Sequence, residues 1–258
     1  MKPSRLPGWI SGLGFVLLYL PLLWVVAFSF LVKDPITGTV SSTWHWYITA
    51  FTDSRILEAL GNSFEVALAS TGLAACVGTA GALAIERSRF PGRRILEALV
   101  QVSLVMPEIV LGLSLLVWFV LLRVALGRFS IILAHVSFSL PYVMITVSAR
   151  LRGLDPSMEE AARDLGASAW GAFRAVTLPL IAPAVLSGAL MAFTLSFDDF
   201  LVAFFTTGIG SDTLPLKIYS MIKFGVTPEI NALSTLLLMA TFILVLCIFK
   251  AQRQSHVK

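Results

Sequence analysis

Charge is scarce in this sequence. Of 258 residues, 13% are Asp, Glu, Lys or Arg, while 57% are hydrophobic. So little charge cannot clothe a soluble domain, and it suits a chain whose solvent is mostly lipid. Cysteine is nearly absent. Cys76 and Cys247 both fall inside apolar runs, without metal-ligand spacing, and read as small packing residues. Histidine is as sparse: His45, His135 and His256 are scattered, so no zinc-binding pair forms. No Gly-rich phosphate loop ending in Gly-Lys-Ser/Thr is present, and no Ser-centred nucleophile elbow. The chain is therefore expected to carry no catalytic residues, no metal and no cofactor of its own. There is no internal repeat and no soluble segment, so residues 1–258 read as a single transmembrane domain.

What the sequence does have is long apolar runs. Six are expected to form transmembrane helices, at about 9–32, 62–85, 97–122, 130–149, 183–207 and 231–250. Each approaches the roughly 20 residues a helix needs to cross a bilayer. The first is too long for a cleavable leader and reads as a retained span. The second is rich in Ala and Gly, which lets helices approach closely. Pro107 interrupts the third, where a missing backbone donor predicts a kink or break. Lys and Arg cluster in 86–95, in 150–174 and at both termini, with fewer on the alternate loops. The positive-inside rule makes the crowded side cytoplasmic, with both termini inside. The net charge of +4 is then an insertion signal, and no nucleic-acid partner is implied.

Between the fourth and fifth runs lies an amphipathic stretch, 150–182. Asp155 is a good N-cap with Pro156 at the first helical position, and Met158, Ala161, Ala162 and Leu165 recur at helical spacing. Gly166 supplies a stop and Ser168 a second cap, opening a short helix that runs toward Pro179 and Pro183. By spacing alone this is an interfacial helix pair. Its residues carry more. Glu160-Ala161-Ala162, then Gly166, then Leu178-Pro179 resembles the EAA loop of permease subunits of bacterial ABC importers, with Val176 where that family often has Ile. The resemblance implies that Glu160, Ala161, Ala162 and Gly166 dock against a cytoplasmic ATPase.

Ionisable groups inside apolar runs are costly and mark a pathway or a pair. Glu108 lies about 16 Å along the third run if that helix is straight, and Asp198 about 22 Å up the fifth. Asp199 points about 100° away from its neighbour on a helix. No Lys or Arg sits at matching depth, so the balance is negative and suits a cationic passenger. The plainer readings are a protonated or partner-paired Glu108 and an Asp199 bonded to backbone. His135 reads as a helix–helix hydrogen-bond donor. Trp44, Trp46 and Tyr47 read as an outer aromatic belt, with Trp46 as the sharper candidate for a cation–π contact with an amine.

Four longer stretches, SLVMPEIVLGLSLL, AHVSFSLPYVMITVSARL, AFTLSFDDFLVAFFTTG and TLPLKIYSMIKFGVTPEINALSTLLL, narrow the resemblance. They look like the second permease subunit of spermidine/putrescine ABC importers. That resemblance implies a type I importer permease fold in a bacterial inner membrane. It also implies a companion permease, expected to be a different chain, an ATPase dimer holding ATP and Mg, and a periplasmic substrate-binding protein. Glu108, Asp198, Asp199 and Trp46 are the candidate pathway residues. Two other readings stay open from the residues: the same architecture importing another amine-bearing solute such as an amino-acid derivative, and an ion-coupled secondary transporter. The second leaves the amphipathic pair unexplained and shows no inverted repeat.

Overall fold

The computed structural model describes residues 6–33, 40–223, 225 and 228–255, with side chains for 12–31, 41–223, 225 and 228–243. Cys247 and His256 fall outside the described side chains. Helices carry the chain: α1 (Leu6–Ser29), α2 (His45–Thr52), α3 (Ser54–Arg87), α4 (Arg93–Val105), α5 (Glu108–Leu121) and α6 (Arg128–Arg152). They continue with α7 (Ser157–Asp164), α8 (Ala169–Ala172), α9 (Leu178–Asp198), α10 (Leu201–Thr206), α11 (Leu214–Lys223) and α12 (Pro228–Ser255). A two-stranded antiparallel ribbon, β1 (Leu31–Lys33) and β2 (Val40–Ser42), pairs Leu31 with Ser42.

The apolar runs read from sequence fall on α1, α3, α4 with α5, α6, α9 with α10, and α12. Among the described residues, four helical segments are long and apolar enough to cross a membrane: Gly12–Ser29, Ser54–Arg87, Arg128–Arg152 and Ala169–Asp198. The bent pair α4–α5 makes a fifth if it is one span, and Pro228–Ile243 of α12 is a shorter apolar helix.

Several boundaries differ from expectation. The stretch left between the first two apolar runs, 33–61, holds β2, α2 and the first turns of α3, while β1 begins at Leu31, within the end of the first run. The loop expected at 208–230 contains α11. Both inserts are shorter than a span, so hydropathy alone passes over them. The helix after Ser168 does not stop at Pro179 or Pro183 but runs on to Asp198. A π-helical turn, Phe173–Thr177, makes this possible. There the Leu178 N–H reaches the Phe173 carbonyl, five residues back, and the ladder is re-registered just before the first proline.

The chain forms two compact units. In the first, Met1–Glu58 with Lys217–Lys258, α12 packs on α1 and α2. Tyr47 Oη and Ser29 Oγ are 2.6 Å apart, and Phe30, Trp44 and Tyr47 form a ring cluster. In the second, Ala59–Leu216, α6 is the central pillar, with half of its apolar window buried. Its Val143 and Val147 pack with Ala74 and Ala82 of α3 and Ile181 and Ala192 of α9. Lipid supplies no hydrophobic drive between helices, so contact rests on dispersion and close approach. Gly78 and Gly188 provide that approach. A Cβ on Gly78 would fall 2.9 Å from Val143 Cβ, and one on Gly188 would fall 3.1 Å from Val143 Cα.

Candidate functional site

Two helix breaks shape the site. At the first, α4 ends at Val105, and Met106 and Pro107 are extended, with ψ of 129° and 132°. A residue before proline favours that conformation, and Pro107 has no N–H to continue the ladder. The axes of α4 and α5 turn by 116°. Glu108 is therefore not at the midpoint of a straight helix, as the depth arithmetic assumed. It is the first residue of α5, where the helix dipole favours an anion.

The second break follows Asp198, the last residue of α9. Asp199 is extended, with ψ of 130°, and its carboxylate accepts from the N–H groups of Val202 at 3.3 Å and Ala203 at 2.7 Å. It caps α10. The single helix expected over 183–207 is thus two, and the 100° separation of the two aspartates does not apply.

The breaks open onto one cavity of about 360 Å³ within the second unit. Glu108, Asp198 and Asp199 all line it, beside Ser103, Met106, Phe138, Tyr142 and Thr194. Neither Glu108 nor Asp198 has an ion-pair partner among the described residues. Two uncommitted carboxylates beside aromatic faces and hydroxyls can take an ammonium group by charge, hydrogen bonding and cation–π attraction. Tyr142, Phe138 and Thr194 escaped the sequence reading, since aromatic and hydroxyl residues inside apolar runs look like packing.

Asp199 is also anchored from behind. His135, fully buried on α6, places Nδ1 2.7 Å from Ser196 Oγ and Nε2 3.2 Å from Asp199 Oδ2, the latter without hydrogen-bond alignment. Ser196 Oγ lies 3.0 Å from Ser70 Oγ on α3. The expected helix–helix role of His135 is thereby specified: it joins α6 to α9 and to the break. Trp46 is elsewhere. It lies on α2, in the first unit, outside the cavity lining, and its buried indole N–H has no partner among the described residues.

The first helix of the amphipathic element starts one residue later than expected, at Ser157, with Pro156 rather than Asp155 at its N-cap and no side-chain bond from that cap. Asp155 Oδ1 accepts from the Ser157 N–H at 3.0 Å, and that bond holds the Asp155 carboxyl below its ordinary value. Gly166 has φ of +92°, a left-handed stop that glycine adopts without penalty. Ser168 Oγ accepts from the Gly171 N–H at 3.1 Å. Glu160 and Ala161 are exposed and Ala162 half-buried. Leu165 is 90% and Trp170 68% exposed, an apolar surface that α7 and α8 leave uncovered.

Glu159, on the polar side of the helix with Glu160, is the bonded member of the acidic pair. It accepts from Arg87 Nη1 at 2.5 Å, Thr177 Oγ1 at 2.6 Å and Arg163 Nη2 at 3.0 Å. The Thr177 hydroxyl, with help from the two guanidinium groups, holds its carboxyl below the ordinary glutamate value against the opposing effect of burial.

Residues 74–254 match the family of binding-protein-dependent transport system inner membrane components. The chain belongs to this family. It is 39% identical over 231 residues to the spermidine/putrescine transport system permease protein PotC of Haemophilus influenzae, covering 90% of each chain. It is 43% identical over 233 residues to the putrescine transport system permease protein PotI of Escherichia coli strain K12, covering 88% of this chain and 83% of that one. Among solved structures, a bacterial ABC transporter involved in import of the acidic polysaccharide alginate matches with a TM-score of 0.76. That match is 17% identical and covers 97% of this chain and 98% of the other. An amino acid ABC transporter matches with a TM-score of 0.60 at 19% identity, covering 81% and 99%. These likenesses establish the fold: an α-helical permease of an ABC importer, in the inner membrane.

Proposed function

We propose that the chain is one permease subunit of an ATP-driven importer that carries polyamines of the spermidine and putrescine kind inward by alternating access. The observation that carries this reading is the pair of unpaired carboxylates, Glu108 and Asp198, on one cavity at two helix breaks. The names of the relatives PotC and PotI support the same solute class. Asp199 belongs to the pathway as a wall residue, held by the α10 amides. Trp46 keeps a role only at the outer mouth.

In this reading the chain works as one transmembrane domain with both termini cytoplasmic. It binds no cofactor of its own. A companion permease completes the pathway, a periplasmic binding protein delivers the solute, and ATP and Mg sit on separate ATPase subunits. Glu160, Ala161, Ala162 and Gly166 form the surface that meets the ATPase. A solved alginate importer captured with its solute-bound periplasmic protein supports such an assembly for the fold.

The test is uptake by the assembled importer in proteoliposomes, with labelled putrescine and spermidine competed against basic amino acids. Polyamine uptake that the amino acids do not displace is expected. Preferential displacement by an amino-acid derivative overturns the solute assignment, and uptake by this chain alone overturns the ATP-driven reading.

A further inference from the structure

We propose that Glu159 is a positioning residue: it locks α7 to the ends of α3 and α9, so that a displacement of α7 reaches both helices. This inference rests on the importer reading above and adds a mechanical part to it.

The helix α7 needs such a lock. It has eight residues, too few to be stable alone in water, and buries none of them. Apolar packing against α8 and the π-helical turn is therefore thin, and polar contacts add to it. Glu159 supplies them. Its side chain is 13% exposed, whereas those of Arg87 and Arg163 are 35% and 53% exposed. The three donors come from three places: Arg87 from the last turn of α3, Thr177 from the π-helical turn that leads into α9, and Arg163 from the next turn of α7. Arg87 Nη2 also donates to Thr177 Oγ1 at 3.1 Å, which closes a triangle of bonds.

Helix polarity favours the arrangement. Arg87 is a cation at a helix C-terminus, and Glu159 is an anion in the first turn of a helix. A second pair, Arg152 with Glu86 at 3.1 Å, ties the end of α6 to α3 beside it. The neighbouring Glu160 is exposed and has no ion-pair partner among the described residues. One acidic residue thus faces inward to hold the helix, and the other faces outward, where a partner meets it. Without the lock, α7 keeps its packing on α8 and on the π-helical turn but loses its tie to α3, between Gly153 and the left-handed Gly166.

Two readouts test this. In the assembled importer, uptake and ATP hydrolysis are measured together for Glu159→Gln, for Arg87→Gln, and for the charge-swapped pair Arg87→Glu with Glu159→Arg. Each single variant is expected to lower solute carried per ATP by about tenfold, the equivalent of one charge-assisted hydrogen bond. Hydrolysis should persist, and the swap, which restores one ion pair but opposes both helix dipoles and repels Arg163, should recover only part of the loss. In the full chain in detergent, amide hydrogen exchange over 157–165 is expected to accelerate by about tenfold in the single variants and to slow again in part in the swap. Unchanged exchange overturns the lock, and faster exchange with an unchanged transport ratio overturns its part in coupling. A parental importer that ignores polyamines would sink the solute assignment alone, because the exchange readout needs no solute.

Discussion

Asp198 and Asp199 are neighbours with different surroundings. Asp199 accepts two backbone N–H groups and lies against His135, while Asp198 ends its helix on the cavity with no ion-pair partner among the described residues. The two should therefore respond differently to substitution. Asp199→Ala removes the carboxylate that accepts from the Val202 and Ala203 N–H groups in the first turn of α10, a loss of about 0.5–2 kcal/mol on the scale of a helix cap. It also leaves His135 beside an empty space, so thermal stability in detergent should fall. Asp198→Asn keeps the shape and loses only charge, so stability should hold while polyamine uptake slows, by about tenfold if one amine contact is lost. Glu108→Gln should match Asp198→Asn. Parental uptake in both isosteric variants would mean that the acids do not meet the solute. Equal destabilisation by Asp198→Asn and Asp199→Ala would mean that the cap is not the distinction.

Among the elements, the legible parts were those with local chemical marks. Pro107 announced the α4–α5 break, and Gly166 and Ser168 marked the end of one short helix and the start of the next. The break after Asp198 carries no proline or glycine; it is held by the α10 amides on Asp199, with His135 of α6 lying against that carboxylate, which sequence spacing does not reveal. The bonds of Glu159 were hidden for the same reason, since Arg87 lies 72 residues away. Long-range contact also explains the glycines. Gly78 and Gly72 share α3 and look alike in sequence, yet a Cβ on Gly78 meets Val143 at 2.9 Å while one on Gly72 meets nothing within 4 Å. Gly78→Val should push α3 away from α6 and destabilise the chain by about 1–3 kcal/mol, as overpacking does. Gly72→Val should leave thermal unfolding in detergent near the parental temperature. Equal shifts for the two variants would show that α3 and α6 are not packed through Gly78.

For the whole molecule, the exposed residues matter as much as the buried ones. Much of the apolar exposure on α1, α3 and α5 belongs against lipid or a companion subunit, and needs no further account in a membrane protein. The surface around α7 differs, because it is charged and flanked by basic helix ends, so it belongs to water. Leu165 at 90% exposure and Trp170 at 68% are out of place there unless a protein covers them. Covering a leucine side chain in full stabilises by about 1.5–3 kcal/mol, and a tryptophan brings still more area. By the relation between free energy and affinity, losing the leucine contact weakens binding by about ten- to a hundredfold. Leu165→Asp and Trp170→Ser should therefore release the ATPase subunits from the purified complex at concentrations where the parental complex stays whole. Insertion and fold should persist, because neither side chain contributes to the buried cores of the second unit. The subunit dissociation constant, measured with detergent-solubilised components, decides the matter. An unchanged constant in both variants would mean that the ATPase docks elsewhere, and the exposed Leu165 and Trp170 would then need a different partner.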